Sequence, residues 1–231
     1  MKETTRAASG ALGGRGSSRL PRGSGRLITI EGVEGAGKST QAARLADAMR
    51  REGREVVVTR EPGGTELGRA LRAILLDEAA PGLTSETELL LYLADRTEHV
   101  RRLIAPALER GAIVIGDRFS DSTLAYQAYG RGIPLETVRQ LDAFARGGVA
   151  PCLTFILDLP PDQGLERIRA LRPADRLERE DLAFHRRVHE GFRAIAAADP
   201  ERAVLLDARL AIDELARIML ERVHERLRGL V

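Results

Sequence analysis

Cysteine is nearly absent from this 231-residue chain, which holds Cys152 alone. A lone thiol cannot close an internal disulfide, which fits a reducing cytoplasm. Long apolar runs are missing too. No stretch approaches the roughly 18 residues that a membrane span needs, and the N-terminus lacks the apolar core of a secretory signal. There are no internal repeats and no inter-domain linker, and the length suits one domain with a real core. Most of the chain also lacks a net basic charge. The net charge is +2, yet Lys2, Arg6, Arg15, Arg19, Arg22 and Arg26 stand against Glu3 alone at the start. The rest of the chain is therefore net negative, which argues against a nucleic-acid-binding domain. Residues 1–25, rich in Gly, Ser, Ala and Arg without periodicity, read as a disordered basic tail. Their composition fits a transit peptide or a vector-derived or misassigned start equally well, and no function is assigned to them.

What is present is concentrated just after that tail. Arg26-Leu27-Ile28-Thr29-Ile30 is an apolar strand pattern that runs into Glu31-Gly32-Val33-Glu34-Gly35-Ala36-Gly37-Lys38-Ser39-Thr40. An amphipathic helix comes next. G-x-x-x-x-G-K-S between a strand and a helix is a phosphate-binding loop. Gly32, Gly35 and Gly37 permit a tight turn in which several N–H groups point at one anion. The helix that begins near Lys38 adds its dipole to the same point. Lys38 is expected to reach the outer phosphates of a nucleoside triphosphate, and the Ser39 hydroxyl to bind Mg²⁺.

The remainder alternates strands and helices. Strands are predicted at Leu27–Glu31, Glu55–Thr59, Ala112–Gly116, Cys152–Leu159 and Arg202–Leu206. Helices are predicted at Thr40–Glu52, Glu66–Leu76, Ser85–Arg110, Leu135–Arg146, Asp162–Ala170, Asp181–Ala198 and Ile212–Leu227. Such alternation implies right-handed crossovers and a parallel sheet covered on both faces. The expected fold is a three-layer α/β P-loop fold, one domain over residues 26–231, with a five-stranded parallel sheet. Leu171–Asp181 is almost entirely charged or turn-forming, too polar for core, and reads as a mobile lid spanning about 168–181.

A second constellation stands at the strand ends. Ala112–Gly116 runs into Asp117-Arg118, and the preceding strand runs into Arg60-Glu61-Pro62-Gly63-Gly64-Thr65. In a parallel sheet ligands sit at the carboxyl ends of strands, so Asp117 falls near Lys38 and Ser39, where a carboxylate helps hold Mg²⁺. Arg60 and Arg118, on the same side, suggest a second phosphate-bearing ligand. That is the logic of a kinase with a phosphorylated acceptor. The attacking oxygen of a nucleoside monophosphate is already anionic, so no general base is needed. Catalysis then reduces to positioning and charge neutralisation. Two rivals remain: a kinase for another nucleoside monophosphate, and a nucleotide-switch ATPase, which would need no second phosphate pocket.

Together with Asp117-Arg118-Phe119-Ser120-Asp121-Ser122-Thr123-Leu124-Ala125-Tyr126-Gln127 and Arg131-Gly132, these runs resemble the thymidylate kinase family in its bacterial form, from about Arg26 to the C-terminus. The resemblance implies transfer of the γ-phosphoryl group of ATP to dTMP with Mg²⁺, in the cytoplasm, by a homodimer, without nucleic acid or membrane as partner. It implies an ATP site at Gly32, Val33, Glu34, Gly35, Ala36, Gly37, Lys38, Ser39 and Thr40, and metal contacts from Ser39 and Asp117. It implies that Arg72 and Arg118 bind the dTMP phosphate, that Glu34 lies near the sugar 3′-hydroxyl, and that Tyr92 stacks on thymine. It implies further that Arg96 donates to a base oxygen, that Thr123 and Gln127 line the pocket, and that Tyr126 packs against the sugar C2′. Glu61 and Ser122 complete the dTMP set. With Glu34 and no arginine in the loop, the resemblance assigns the catalytic arginine to the lid. Lys38, Arg118, Arg169 and Arg172 are the expected catalytic residues, and Arg176 is expected to hold the lid shut. Helices near Thr87–Leu108 and Leu135–Arg146 are the expected dimer contacts. His185 and His189 sit at metal-ligand spacing but lack a third ligand, and Arg186 and Arg187 between them suggest a solvated basic face.

Overall fold

The computed structural model describes residues 25–77 and 82–229. The expected basic tail lies outside the described residues except for Gly25, which is buried and donates its N–H to the Leu108 carbonyl at 2.7 Å. In chain order the elements are β1 (Arg26–Gly32), α1 (Lys38–Arg51), β2 (Val56–Arg60), α2 (Glu66–Leu76) and α3 (Ser85–His99). A π-helical turn (Val100–Ile104) continues α3 into α4 (Ala105–Glu109), followed by β3 (Ile113–Asp117). Then come α5 (Ser120–Thr123) with a second π-helical turn (Leu124–Gly130), α6 (Leu135–Arg146), β4 (Leu153–Asp158) and α7 (Pro161–Arg169). The chain ends with α8 (Leu182–Ala198), β5 (Ala203–Asp207) and α9 (Ile212–Arg228).

The five strands are all parallel, in the order β2-β3-β1-β4-β5. The chain thus builds one side of β1 first and then crosses to the other, and the crevice where the order reverses opens at the carboxyl ends. Register brings Ile30 level with Asp117 and Asp117 level with Arg60, so the ends of β1, β2 and β3 share one rim. The pleat sorts side chains by face. Ile28, Ile30, Ile113 and Ile115 pack with α1 and α8 residues such as Leu45, Met49, Val188 and Phe192. Leu27 and Val114 turn the other way, onto Val100, Ile104 and Leu108. These strands are buried on both faces, which is why they read as continuous apolar runs.

Three segments depart from the sequence reading. Ser120–Gly130 is helical although no helix was predicted there. Asp121, Ser122, Thr123, Ala125, Tyr126, Gln127 and Ala128 are all buried, so the segment has no polar stripe to set up a helical period. The helix predicted over Ser85–Arg110 loosens into a π turn ahead of Pro106, which has no N–H to donate to the carbonyl of Arg102. The lid segment is not wholly polar surface. Leu177 is buried against the main core, and Glu178, 3% exposed, accepts both Arg172 nitrogens at 2.9 and 2.6 Å.

The start of α7 clamps the loop after β1 by backbone contact. A Cβ at Gly164 would stand 2.2 Å from the Glu34 carbonyl oxygen, and one at Gly35 would stand 2.2 Å from the Gly164 carbonyl oxygen. Gly164→Ala is therefore expected to force the loop off α7 and to lower stability by about 1–3 kcal/mol. Urea denaturation measures this, and a wild-type midpoint would show that the contact yields freely.

Candidate active site

The loop after β1 takes its shape from three glycines with positive φ, Gly32 at 130°, Gly35 at 69° and Gly37 at 91°. Gly37 is the N-cap of α1 and carries no side chain to satisfy the first-turn N–H groups. Those donors stay available to an anion. Lys38 is 8% exposed and donates to the Val33 carbonyl at 2.7 Å. Burial, seconded by repulsion from Arg118, lowers its ammonium to about 8, against the attraction of Asp117, Glu34 and Glu31. Ser39 Oγ donates to Asp117 Oδ2 at 2.5 Å. Two side-chain oxygens thus meet at the start of α1. No cluster of three or more His, Cys, Asp or Glu side chains suited to a metal occurs among the described residues. A pair of protein oxygens with room for phosphate and water is what Mg²⁺ takes, since it dehydrates reluctantly.

Arg118 joins this loop to the other half of the cleft. Its backbone is left-handed, with φ of 71°, a conformation that costs a non-glycine residue on the order of 1–3 kcal/mol. The surroundings hold it there. One terminal nitrogen donates to the Gly32 carbonyl and to Ser122 Oγ, both at 3.0 Å. The other donates to Glu34 Oε1 at 3.0 Å and to the Tyr126 hydroxyl at 3.2 Å. Tyr126 in turn donates to Glu34 Oε1. Burial works against the Glu34 carboxylate, but Arg118 and Lys38 outweigh it and hold its pKa below the usual range.

The cleft has a volume of about 800 Å³. Its far wall carries Arg60, Arg72, Tyr92, Arg96, Thr123, Tyr126 and Gln127. Arg72 donates to the Pro62 carbonyl at 3.0 Å, and its pKa is lowered by burial and by Arg60. Arg96 is 2% exposed. Its Nε and one terminal nitrogen donate to Glu61 Oε2 at 2.9 and 2.7 Å, and the other donates to Thr123 Oγ1 at 2.8 Å and Asp142 Oδ1 at 2.6 Å. Four of its five N–H bonds are thus spent within the protein, and one remains for a ligand. Glu61 acts here as the anchor of Arg96, and its other oxygen meets His99 Nδ1 at 2.9 Å.

Sequence reading missed a hub. Glu88, fully buried, accepts from Gln127 at 2.9 Å, from Arg131 at 3.1 and 2.9 Å, and from lid residue Arg176 at 2.7 Å. Arg176 also donates to the Leu75 carbonyl at 2.7 Å, which docks the lid on the end of α2. Of the lid arginines, Arg167 and Arg172 line the cleft and Arg169 does not. Arg167 donates to the Gly35 carbonyl at 3.3 Å. The histidines are no solvated face. His185 is 1% exposed, and His189 meets Asp158 at 2.5 Å.

A family model for thymidylate kinase matches residues 30–218. The chain belongs to the thymidylate kinase family. It is 58% identical over 182 residues to the thymidylate kinase of Synechococcus sp. strain JA-3-3Ab, an overlap of 79% of this chain and 87% of that one. Against the thymidylate kinase of Deinococcus radiodurans it is 50% identical over 202 residues, 87% of this chain and 98% of that one. The crystal structure of thymidylate kinase from Ehrlichia chaffeensis superposes with a TM-score of 0.70 at 35% identity, covering 87% of this chain and 98% of that chain. The matched span of the thymidylate kinase family takes in the phosphate loop, both strand-end arginines, the Glu88 hub and the lid.

One buried acid ties the loop to the strand end. Glu31 accepts the Phe119 N–H at 2.7 Å and Ser122 Oγ at 2.5 Å. Burial, aided by Asp121, raises its pKa from 4.5 to about 8. The folded state therefore binds a proton that the unfolded state releases, and the stability this provides is lost as pH rises from about 4.5 to about 8. Glu31→Gln keeps an acceptor for the Phe119 N–H and reverses the Ser122 bond, its amide N–H donating to the Ser122 oxygen. The variant's stability relative to wild type should climb across that window, by several kcal/mol, on the order of 4, at pH 8.5. A gap that stays flat with pH in chemical denaturation would show that Glu31 stays ionised.

Proposed function

We propose that this chain transfers the γ-phosphoryl group of ATP to dTMP, giving ADP and dTDP. The observation that carries the reading is the meeting of two phosphate-directed cationic groups in one cleft. Lys38 and the open start of α1 face it from one side, and Arg60, Arg72 and Arg118 from the other. ATP enters with its phosphates in the loop Gly32–Thr40. Ser39 and Asp117 are the residues that would hold Mg²⁺, which neutralises charge on the β and γ phosphates when bound.

dTMP takes the opposite wall. Arg72 and Arg118 hold its phosphate, Tyr92 stacks on the base, and the remaining N–H of Arg96 reaches a base oxygen. Thr123 and Gln127 close the pocket, Ser122 and Glu61 hold Arg118 and Arg96 in place, and Tyr126 crowds the sugar C2′. Glu34 remains a carboxylate and accepts the sugar 3′-hydroxyl. The attacking phosphate oxygen carries its own charge, so these groups lower the barrier by aligning two polyanions and cancelling their repulsion.

In the lid, Arg172 supplies the transition-state cation. It lines the cleft and is held by Glu178, whose carboxylate it would leave for the transferring phosphoryl group. Arg167, beside Gly35, steadies the loop. Two copies of the chain associate through α3 and its neighbours. α3 packs between α2 and α6, and this layer exposes Leu90 at 57% and Phe144 at 83%. No helix among the described residues is long and apolar enough to cross a membrane, and the lone thiol fits a reducing cytoplasm as the place where it works.

Acceptor choice and two sets of variants test this reading. Incubation with ATP and a panel of dTMP, dUMP, CMP and AMP should yield the diphosphate of dTMP in preference to the others. Lys38→Ala should remove transfer almost entirely while the protein stays folded; rapid transfer in a single turnover would move the donor site elsewhere. Arg172→Ala should lower turnover on the order of a hundredfold with the dTMP dissociation constant within a few-fold, whereas Arg169→Ala should stay near wild type. The opposite ranking would reassign the lid arginine.

A further inference from the structure

Two buried polar atoms face each other across the loop with no hydrogen bond between them. Glu34 Oε2 is shielded from solvent and has no hydrogen-bond partner, whereas Oε1 serves Arg118 and Tyr126. Near Oε2 stands His185 Nδ1, at 3.8 Å. His185 is 1% exposed, its Nε2 likewise has no partner, and the Phe184 ring meets its own edge-on at 5.4 Å. Buried polar groups are rarely left unpaired, and a bond from Nδ1 would give Glu34 Oε2 its missing partner, with Nε2 the ring's unprotonated nitrogen. A shift of about 1 Å would bring Nδ1 and Oε2 to hydrogen-bond distance.

We propose that His185 positions Glu34 for the acceptor nucleotide, its Nδ1–H donating to Glu34 Oε2 when the cleft closes on its ligands. The proposal rests on the reading of this cleft as a dTMP kinase site. A substrate hydroxyl cannot reach Oε2, which is enclosed, so Oε1 must meet both Arg118 and the nucleotide. A carboxylate held by one oxygen can rotate about its last bond. Pinning the second oxygen fixes the plane and keeps Oε1 aimed into the cleft. His185 stands on α8, which follows the lid, so the contact also ties lid position to the geometry of the loop. The ring nitrogen facing a carboxylate is the one that carries the proton, which assigns the Nδ1–H tautomer.

The test uses the full chain. His185→Phe keeps the ring volume and removes both nitrogens, and His185→Asn returns an amide N–H near the place of Nδ1. His185→Phe should raise the KM for dTMP about tenfold with the KM for ATP within twofold, and His185→Asn should recover most of the loss. Combined with Glu34→Gln, His185→Phe should add nothing, because both act through one carboxylate. Nitrogen-15 spectra of the wild-type ring should show the Nδ1–H tautomer, with a resonance that moves in Glu34→Gln. Unchanged kinetics in His185→Phe, equal losses for both nucleotides, or an Nε2–H tautomer would each overturn the proposal. Should His185→Phe fail to fold, His185→Asn and the spectra decide. Should wild type make no dTDP, the cleft reading fails, and the spectra still decide the pairing.

Discussion

The pairing of Glu34 with Arg118 is the contact on which the rest of the cleft depends. One comes from the phosphate loop and the other from the end of β3, and they meet only because β1 and β3 are adjacent and in register. The pair holds Arg118 in a left-handed backbone conformation that it would not otherwise keep. It also keeps Glu34 ionised against burial. Removing either partner would strand a buried charge, an effect that typically costs about 3–5 kcal/mol. The two halves of the cleft are thereby locked to a single geometry.

The same device recurs across the cleft wall. Arg96 is held by Glu61, Thr123 and Asp142, and Arg131 and Arg176 by Glu88. Each arginine loses most of its freedom before any ligand arrives. A site that must gather two polyanions gains from cations that are already fixed, since no reorganisation is then required as charge moves. Glu88 extends this logic to the lid. Gln127 in the cleft wall and Arg176 in the segment after α7 share its carboxylate, so the wall and that segment depend on one buried charge.

How much of this could be read in the sequence depends on sequence distance. The phosphate loop lies within a few residues of its strand and helix, and the strand-end arginines sit beside apolar runs, so both were legible. Helices with one apolar stripe, such as Glu66–Leu76 and Leu135–Arg146, were legible to the residue. Ser120–Gly130 was not, because burial on all sides erases the period. Glu88, Asp142 and His185 were not either. A buried polar residue on a helix looks like a solvated one until its partner is known, and these partners lie far away in sequence. For His185 the neighbours misled as well. Arg186 and Arg187 suggest a wet face, yet Arg187 folds back onto the Gly130 carbonyl at 3.0 Å, and the ring between the helix and the loop stays dry.

That contrast separates two kinds of polar residue. Those at the rim, such as Ser39 and Asp117, keep capacity for an outside partner and can be found by motif. Those beneath it, such as Glu61 and Asp142, spend theirs on the rim residues and are found only by tracing bonds inward. Catalysis by positioning needs both layers, because a rim cation is only as well placed as the carboxylate that holds it. Arg172 is the informative exception. It lines the cleft, yet its guanidinium is held by Glu178 within the lid itself rather than by the cleft wall. A residue anchored within its own segment would travel with that segment if it moved, whereas Arg96 and Arg118 are anchored to the sheet rim and its helices. On the proposed reading the wall would fix where the acceptor sits, and the lid would decide when the last positive charge arrives.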